Sequence, residues 1–483
     1  MSTRAHRFTR GLLWLFSARW LERSIDLLSL VVLARLLVPE DFGLVAIAAS
    51  VFVIVEGLST LDVSKALIRH RDHDRSLYDT AWTIGFFRGL LVALVLIVVA
   101  YFVSDSRIAE IVLAFSLSPL LSGLANPRFV LYERALSYEK PALLALLARL
   151  ASFLVTVTVA LATKSYWALV LGILVNTGVS TGLSYLMKPY RPKFTLVRTR
   201  EIFDFSGWLW LTGVVTTLSM ETDRLIVGRL LGVAEAGLYF MTQRIGVLPT
   251  RELVSPLQRI LFPAFSELVE DPKTLRRVCL ESVTGIGTLS LPAAFGFAMV
   301  ATDLVPLVLG PRWSPVAPLL LILVPYLGIR ATLSVVMPCV LALGRTRLLF
   351  AVSSCYAIVH VPAFVMGTWA YGLQGAIWSL VFAGVLYMVL NAWMLWRTLA
   401  IPPAELLAAL RRPVLATSGM VLIVVVFRDF YLGLVSSPTW FGIASTVAVG
   451  ASAYLGLLYW LWRRDGHPQG LERRVHSFLS ERL

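Results

Sequence analysis

Apolar residues run along this chain in long blocks rather than in the one-sided stripes of soluble helices. Gly89–Val103 and Leu143–Ala162 are two such blocks, and Arg149 is the single charged residue within the second. Apolar blocks of about 20 residues are typical of helices that cross a membrane. The pattern therefore predicts an all-α membrane protein.

We predict about fourteen membrane-spanning helices, because spans of about 20 residues in that number use most of the chain. They lie near residues 11–36, 42–66, 78–103, 108–132, 141–163, 165–187, 204–231, 236–262, 278–301, 316–342, 347–368, 371–396, 411–428 and 439–462. An even number of spans places both termini on the same side of the membrane.

The composition agrees with this class. Of the 483 residues, 58% are hydrophobic and 15% are charged, and the mean hydropathy is +0.78. Soluble domains carry about 25% charged residues, so this chain lacks the polar surface that a soluble protein of its size needs. Collagen, a disordered chain and a nucleic-acid-binding globule are excluded.

The net charge of +14 is distributed unevenly. Most Lys and Arg residues between the predicted spans fall on the side of the two termini, as in the loop that contains Arg191, Lys193 and Arg198. Loops rich in Lys and Arg stay in the cytoplasm. We therefore predict cytoplasmic N- and C-termini, and the basic balance requires no nucleic-acid partner.

The cysteines and known motifs predict neither a metal site nor a cofactor. Cys279, Cys339 and Cys355 each lie in an apolar stretch without metal-ligand spacing, so we expect buried, inert thiols. Glycine-rich phosphate loops, nucleophile elbows and zinc motifs are absent from the sequence. The sequence predicts no catalytic residues.

The two halves of the first twelve predicted spans resemble each other. Ala34–Leu37 and Gly43-Leu44 match Gly228–Leu231 and Gly237-Leu238 at one constant offset. Each half contains an even number of spans, which makes this a parallel repeat, an arrangement common in transporters. We predict an N-terminal lobe over 1–200, a C-terminal lobe over 201–400, and an appended helix pair with a cytoplasmic tail over 401–483.

The motifs of both lobes resemble one family. Ala34–Gly43 is similar to the A-R-L-L-x-P-E-D-F-G loop of bacterial polysaccharide flippases of the Wzx type, and it departs from that pattern only mildly, at Val38. Thr222–Arg229 with Gly237–Tyr239, and later Phe262–Phe265, continue the likeness in the same order. The chain is thereby identified as a member of the multidrug/oligosaccharidyl-lipid/polysaccharide exporter superfamily.

The resemblance implies a fold, a substrate and a location. The implied fold has two pseudo-symmetric six-helix lobes around a central cavity. The implied function is transfer of an undecaprenyl-diphosphate-linked oligosaccharide across the bacterial inner membrane by alternating access, for an exopolysaccharide or lipopolysaccharide. Membrane lipids, a polymerase and export machinery are the implied partners, and no enzymatic activity is expected.

Charged residues inside the predicted spans mark the candidate site, because each costs on the order of 2.5–3.5 kcal/mol at mid-helix. In the first span, Arg19, Glu22, Arg23 and Asp26 share one helix face. Lining of a wet cavity and a self-compensating ladder of Arg19–Glu22 and Arg23–Asp26 pairs are both compatible with that spacing. Arg88 and Arg149 have no acidic neighbour one turn away.

The second lobe carries Arg244, Arg251 and Arg259 as a stripe on the eighth span, and Arg330 on the tenth. Because arginine binds phosphate oxygens through two parallel hydrogen bonds, we predict substrate binding by one set of arginines. They are Arg19, Arg23, Arg88, Arg224, Arg244 and Arg251. Four carboxylates are predicted to couple ions or to pair helices, namely Glu22, Asp26, Glu56 and Glu221.

Two other functions remain open at this point. A membrane polysaccharide polymerase or ligase also uses lipid-linked glycans, but it needs a large outer loop, and the longest one predicted here is Thr302–Pro315. A cation-coupled small-molecule antiporter of the same superfamily would suit a compact acidic site better than spread arginines.

Overall fold

The computed structural model describes residues 2–59, 67, 74–135, 137, 139–199, 207–434 and 439–466. Within these ranges, every regular element is an α-helix or a short 3-10 helix. Ten helical stretches in the described part are long and apolar enough to cross a membrane. The predicted all-α membrane class is confirmed, and the number of about fourteen spans stays a prediction.

The chain divides into two compact units, residues 1–237 and 238–483. The first unit contains α1 (Ser2–Leu36), α2 (Pro39–Leu58), α3 (Arg75–Phe102), α4 (Ser106–Phe115), α5 (Leu117–Gly123), α6 (Val130–Arg134), α7 (Glu139–Thr163), α8 (Trp167–Met187) and α9 (Gly207–Leu230). Helix α10 (Val233–Gly246) begins in the first unit and ends in the second. The lobe boundaries predicted from the sequence, 1–200, 201–400 and 401–483, stay a prediction.

The second unit contains the remaining helices. They are α11 (Leu248–Glu267), α12 (Pro272–Leu309), α13 (Val316–Thr332), α14 (Val336–Ala342), α15 (Thr346–Leu399), α16 (Pro403–Leu434) and α17 (Trp440–Arg464). Cys279 and Cys339 are buried in its core, as expected. Cys355 is exposed on α15, so the expectation of three buried thiols is wrong for this residue; an apolar stretch in a membrane helix has an exposed face as well.

Several helices begin at an aspartate that caps the free amides of the first turn. Asp74 accepts hydrogen bonds from the hydroxyl and the amide of Ser76, at 2.6 and 3.1 Å, before α3. Asp271 accepts from the amide of Thr274 at 3.2 Å before α12. These bonds stabilise the carboxylate form and lower the pKa of both aspartates. The helix starts are thus fixed by local sequence.

Many large apolar side chains of the candidate spans point outward. Leu94 and Val98 on α3, Leu154 on α7, Trp369 on α15 and Leu422 on α16 are all exposed. A water-soluble protein would not tolerate so much exposed apolar surface. In a bilayer the same surface contacts lipid tails.

The repeated glycines lie where two backbones meet in the first unit. A Cβ atom on Gly43 would overlap with the carbonyl oxygen of Val233, and one on Gly237 would overlap with the carbonyl oxygen of Pro39. The start of α2 therefore packs against the start of α10 at a distance that only glycine permits. The two matching glycines of the sequence repeat thus make reciprocal backbone contacts.

The segment after α8 packs along α3. Asp79 accepts hydrogen bonds from the Tyr190 hydroxyl and, at 3.2 Å, from the Lys193 amide. The Phe194 ring contacts Trp82 edge-on, with centroids 5.1 Å apart. The basic loop that divides the predicted lobes is thus attached to the first unit.

The break inside α15 separates two of the predicted spans. Tyr371 and Gly372 leave helical geometry, and Gly372 has a φ of 59°. This left-handed conformation suits glycine. The break agrees with the predicted gap between 368 and 371.

The two last helices, α16 and α17, pack on α12 in the second unit. The Tyr454 hydroxyl donates to the carbonyl of Thr288 at 2.7 Å. Arg428 donates to Asp303 at 3.0 Å and to the carbonyl of Met299 at 2.7 Å. The predicted cytoplasmic tail beyond residue 466 lies outside the described residues.

Candidate substrate-binding site

Asp26 is the centre of a charge cluster between α1 and α7. Its Oδ1 lies 2.8 Å from Nε of Arg149, and its Oδ2 lies 3.2 Å from Nη2 of the same residue. Nη1 of Arg23 is 3.8 Å from Oδ2. One carboxylate therefore faces two guanidinium groups, and Arg149 obtains its partner from another helix.

Glu56 and Arg88 form a second pair, between α2 and α3. The distance from Nη2 of Arg88 to Oε1 of Glu56 is 3.6 Å, and the two side chains are 20% and 31% exposed. This distance between nitrogen and oxygen is too long for a strong hydrogen bond. Arg88 therefore keeps donors with which to bind a ligand.

Glu221 and Arg224 form a third pair, one turn apart on α9. Nη1 of Arg224 donates to Oε2 of Glu221 at 2.6 Å. Asp223 beside them is buried, with 3% of its surface exposed. This end of α9 concentrates charge within an apolar helix, where ionic groups need partners.

Arg19 and Glu22 do not form the ion pair that the self-compensating ladder requires, among the contacts that the structure describes. Within the described part of α1, the ladder is present only at Arg23 and Asp26. Both Arg19 and Glu22 are partly exposed. Arg19 is thus accessible to water or to a ligand, whereas Glu22 interacts electrostatically with Arg149 and Arg23.

The predicted arginine stripe lies in the second unit. Arg244 and Arg251 are exposed, and the guanidinium carbon of Arg244 lies 5.8 Å from the centroid of the Phe240 ring. The side chain of Arg259 is outside the described part. Two of the six predicted substrate arginines, Arg244 and Arg251, therefore belong to the second unit. The other four belong to the first unit: Arg19, Arg23, Arg88 and Arg224.

Sequence reasoning missed an aromatic setting around Arg330 in the second unit. Its guanidinium carbon is 5.4 Å from the centroid of the Tyr387 ring. Nearby, the ring of Tyr356 stacks on buried His360, with centroids 5.0 Å apart. Tyr326, four residues before Arg330, was a signal available in the sequence, since positions i and i+4 share a helix face.

Four arginines of the first unit thus share three carboxylates, because Asp26 faces two of them. Phosphate oxygens and carboxylate oxygens accept the same guanidinium donors. A diphosphate that enters this region competes with Asp26, Glu56 and Glu221 for their arginines. The arrangement is suited to an anionic ligand and, among the described residues, offers no group of His, Cys, Asp and Glu that could hold a metal.

Known proteins resemble this chain over most of its length. The lipopolysaccharide biosynthesis protein WzxC of Escherichia coli is 25% identical, over 88% of this chain and 85% of that protein. The succinoglycan biosynthesis transport protein ExoT of Rhizobium meliloti is 23% identical, over 94% of this chain and 93% of that protein.

Solved structures share the fold. The lipid II flippase MurJ in an inward closed conformation has a TM-score of 0.75 at 14% identity, covering 94% of this chain and 99% of that one. A MATE transporter of Vibrio cholerae has a TM-score of 0.54 at 15% identity, covering 82% and 98%. The superfamily fold expected from the sequence motifs is confirmed. Because residues 32–318, more than half of the chain, match the family described as polysaccharide biosynthesis protein, the chain belongs to that family.

Proposed function

We propose that this protein moves an undecaprenyl-diphosphate-linked oligosaccharide from the cytoplasmic to the periplasmic leaflet of the bacterial inner membrane. The observation that carries the proposal is the set of arginine–carboxylate pairs inside apolar helices. Relatives named for polysaccharide transport, and a fold neighbour named as a lipid II flippase, support the same substrate class.

The proposed site is a water-filled cavity lined by arginines of the membrane-spanning helices. Arginine stays charged in the membrane and binds phosphate oxygens in pairs, so the diphosphate is held while the sugars remain hydrated. The polyprenyl tail stays in lipid. The substrate arginines are those predicted from the sequence, Arg19, Arg23, Arg88, Arg224, Arg244 and Arg251.

The carboxylates beside these arginines belong to the same proposal. Phosphate oxygens and carboxylate oxygens accept the same guanidinium donors, so a diphosphate bound to Arg88 competes with Glu56, and one bound to Arg224 competes with Glu221. Glu22, Asp26, Glu56 and Glu221 are therefore the residues proposed to couple ions or to pair helices.

The experiment that tests the proposal is reconstituted flipping of a labelled lipid-linked oligosaccharide by Arg88→Ala and Arg244→Ala. A charged hydrogen bond contributes about 1.5–3 kcal/mol, so each variant is expected to lose about tenfold or more of the flipping rate. Arg88→Lys, which keeps the charge, should retain part of it. Arg397→Ala, at a helix end away from the charged pairs, is the control.

Wild-type rates in both alanine variants, at equal protein levels in the vesicles, would remove the cationic site from the proposal.

We propose transport rather than polymerisation because the outer segment lacks room for a catalytic subdomain. Helix α12 continues to Leu309 and α13 begins at Val316, so most of the predicted Thr302–Pro315 loop is helical. Elongation of purified glycolipid by the reconstituted protein would favour the polymerase. The proposed topology places both termini in the cytoplasm, beside the polymerase and export machinery.

The antiporter is the third candidate. It is disfavoured because the acidic residues that it would use, Asp26, Glu56 and Glu221, are each paired with an arginine. Uptake of a small cationic dye driven by a proton or sodium gradient would instead support it.

A further inference from the structure

Three basic side chains of the first unit meet at one end of the bundle, and we call them the basic cluster: Arg128, Lys140 and Lys188. Arg128 lies in the 3-10 turn Pro127–Phe129, Lys140 lies at the start of α7, and Lys188 directly follows α8. Three segments distant in sequence thus bring their positive charges to one place.

Aromatic rings and one amide hold the cluster in position. Nζ of Lys188 lies 4.5 Å from the centroid of the Tyr132 ring, and Nζ of Lys140 lies 5.1 Å from it. Lys140 also donates to the Tyr132 hydroxyl at 3.0 Å. The amide of Asn126 donates to the carbonyl of Lys188 at 2.6 Å and fixes the end of α8. The cluster is therefore built into the fold and not carried on free loops.

Among the described residues, no ion pair includes Arg128, Lys140 or Lys188. Arg128 lies instead over the rings of Tyr78 and Tyr190, at 5.7 and 5.5 Å from their centroids, and its Nε is buried without a hydrogen-bond partner. Burial, together with the positive charges of Arg128 and Lys140, lowers the pKa of Lys188. Three cations held together in this way favour binding of an anion.

The place of the cluster in the fold indicates which anion. Helices α7 and α8 are both candidate spans, and they begin and end beside it, so the cluster lies at the level of the lipid headgroups. Leu143 and Leu147 on α7 and Leu186 on α8 are exposed next to it. A phosphate in the cluster thus has apolar helix surface below it, where acyl chains lie.

We propose that the basic cluster binds the phosphate headgroup of an anionic phospholipid, with Arg128, Lys140 and Lys188 as phosphate donors and the exposed leucines of α7 and α8 against the acyl chains. Basic pockets between membrane helices bind anionic headgroups in this way. The site is separate from the arginines proposed for the diphosphate, and it holds the basic loop and α8 at the membrane surface.

The test measures binding of phosphatidylglycerol to the full-length purified protein, by native mass spectrometry and by the lipid-induced rise in the thermal midpoint. Each cation near an anionic surface contributes about 1 kcal/mol, or about fivefold in affinity. Lys140→Gln is therefore expected to weaken phosphatidylglycerol binding about fivefold, and Lys140→Gln with Lys188→Gln more strongly. Lys140→Arg with Lys188→Arg keeps the charges and should bind as the wild type does.

The matched control is Arg397→Gln with Arg464→Gln, because these two arginines also stack on tryptophan rings, at 5.6 and 5.5 Å, but each on a ring of its own helix, α15 or α17. It should bind phosphatidylglycerol normally. Equal binding by the control and the lysine-to-glutamine variants would overturn the proposal. So would an equal thermal shift with phosphatidylcholine or with inorganic phosphate, or a loss of stability in the glutamine variants that the arginine variants do not restore.

Discussion

A charged side chain in the hydrocarbon region is stable when another group supplies the opposite charge or hydrogen bonds. Asp26 illustrates the rule, because Arg149 binds both of its oxygens and Arg23 approaches one of them. The three residues belong to two helices, so the cluster joins α1 to α7. Charge pairing and helix packing are one feature here.

Removal of the Asp26 carboxylate is expected to destabilise the first unit. Asp26→Asn leaves two guanidinium groups with one neutral partner, and a group left without its hydrogen bonds costs about 1–3 kcal/mol. Thermal and denaturant unfolding in detergent measure the change. In the double variant Asp26→Asn with Arg149→Gln, the loss should be smaller than the sum of the single losses.

The control for this prediction is Glu40→Gln. Glu40 pairs with Arg107 at 2.8 Å, but the two side chains are 48% and 46% exposed, and pairs in water contribute about 1 kcal/mol or less. If Asp26→Asn and Glu40→Gln unfold alike, Asp26 has no special role in joining the helices.

The sequence predicted which residues carry charge in the membrane, but only part of their pairing. Arg23–Asp26 and Glu221–Arg224 follow from spacing along one helix. Arg88–Glu56 and Arg149–Asp26 join different helices, and spacing in one sequence contains no information about which helices pack together. The involvement of all these residues in substrate binding stays a prediction.

At the scale of elements, the starts of α2 and α10 pack closely against each other through the matching glycines of the repeat. Each repeat contributes one glycine and one carbonyl oxygen, so the contact is reciprocal. All four residues lie in the first compact unit. We expect Gly43 and Gly237 to hold the starts of α2 and α10 together, because only glycine permits this approach.

Gly43→Ala and Gly237→Ala are expected to weaken this contact. The new methyl group meets a backbone oxygen that cannot turn away, and such overpacking costs about 1–3 kcal/mol. Thermal midpoints and flipping rates should both fall. Gly182→Ala and Gly213→Ala are controls, because a Cβ there has no neighbour within 4 Å.

Unchanged midpoints in Gly43→Ala and Gly237→Ala relative to the two controls would show that the backbones are not held together in the folded protein.

Helix positions were more predictable than their packing. The apolar blocks predicted α3, α7 and α8 within a few residues, because block length alone decides a span. The predicted span 108–132 is instead divided among α4, α5, a 3-10 turn and α6. Polar Ser116, whose hydroxyl bonds back to the carbonyl of Leu113, lies at this break, and hydropathy alone does not detect it.

At the scale of the whole molecule, the arrangement of charged residues differs between the predicted spans and the segments outside them. Basic residues outside the spans concentrate on the predicted cytoplasmic side, and four arginines within the helices of the first unit are paired with acids. The first pattern sets orientation, and the second prepares a site for an anion. Both follow from the cost of placing charge in lipid, and together they favour a transporter of phosphate-bearing lipids.

The most direct test of this function is the leaflet in which the lipid-linked oligosaccharide resides when the protein is removed from its host. Undecaprenyl-diphosphate oligosaccharide is expected to accumulate in the inner leaflet, inaccessible to a periplasmic glycan-binding probe. Restoring the wild-type protein should make it accessible again, and restoring Arg88→Ala should not. Normal delivery of the glycan to the outer leaflet without the protein would contradict the proposed function.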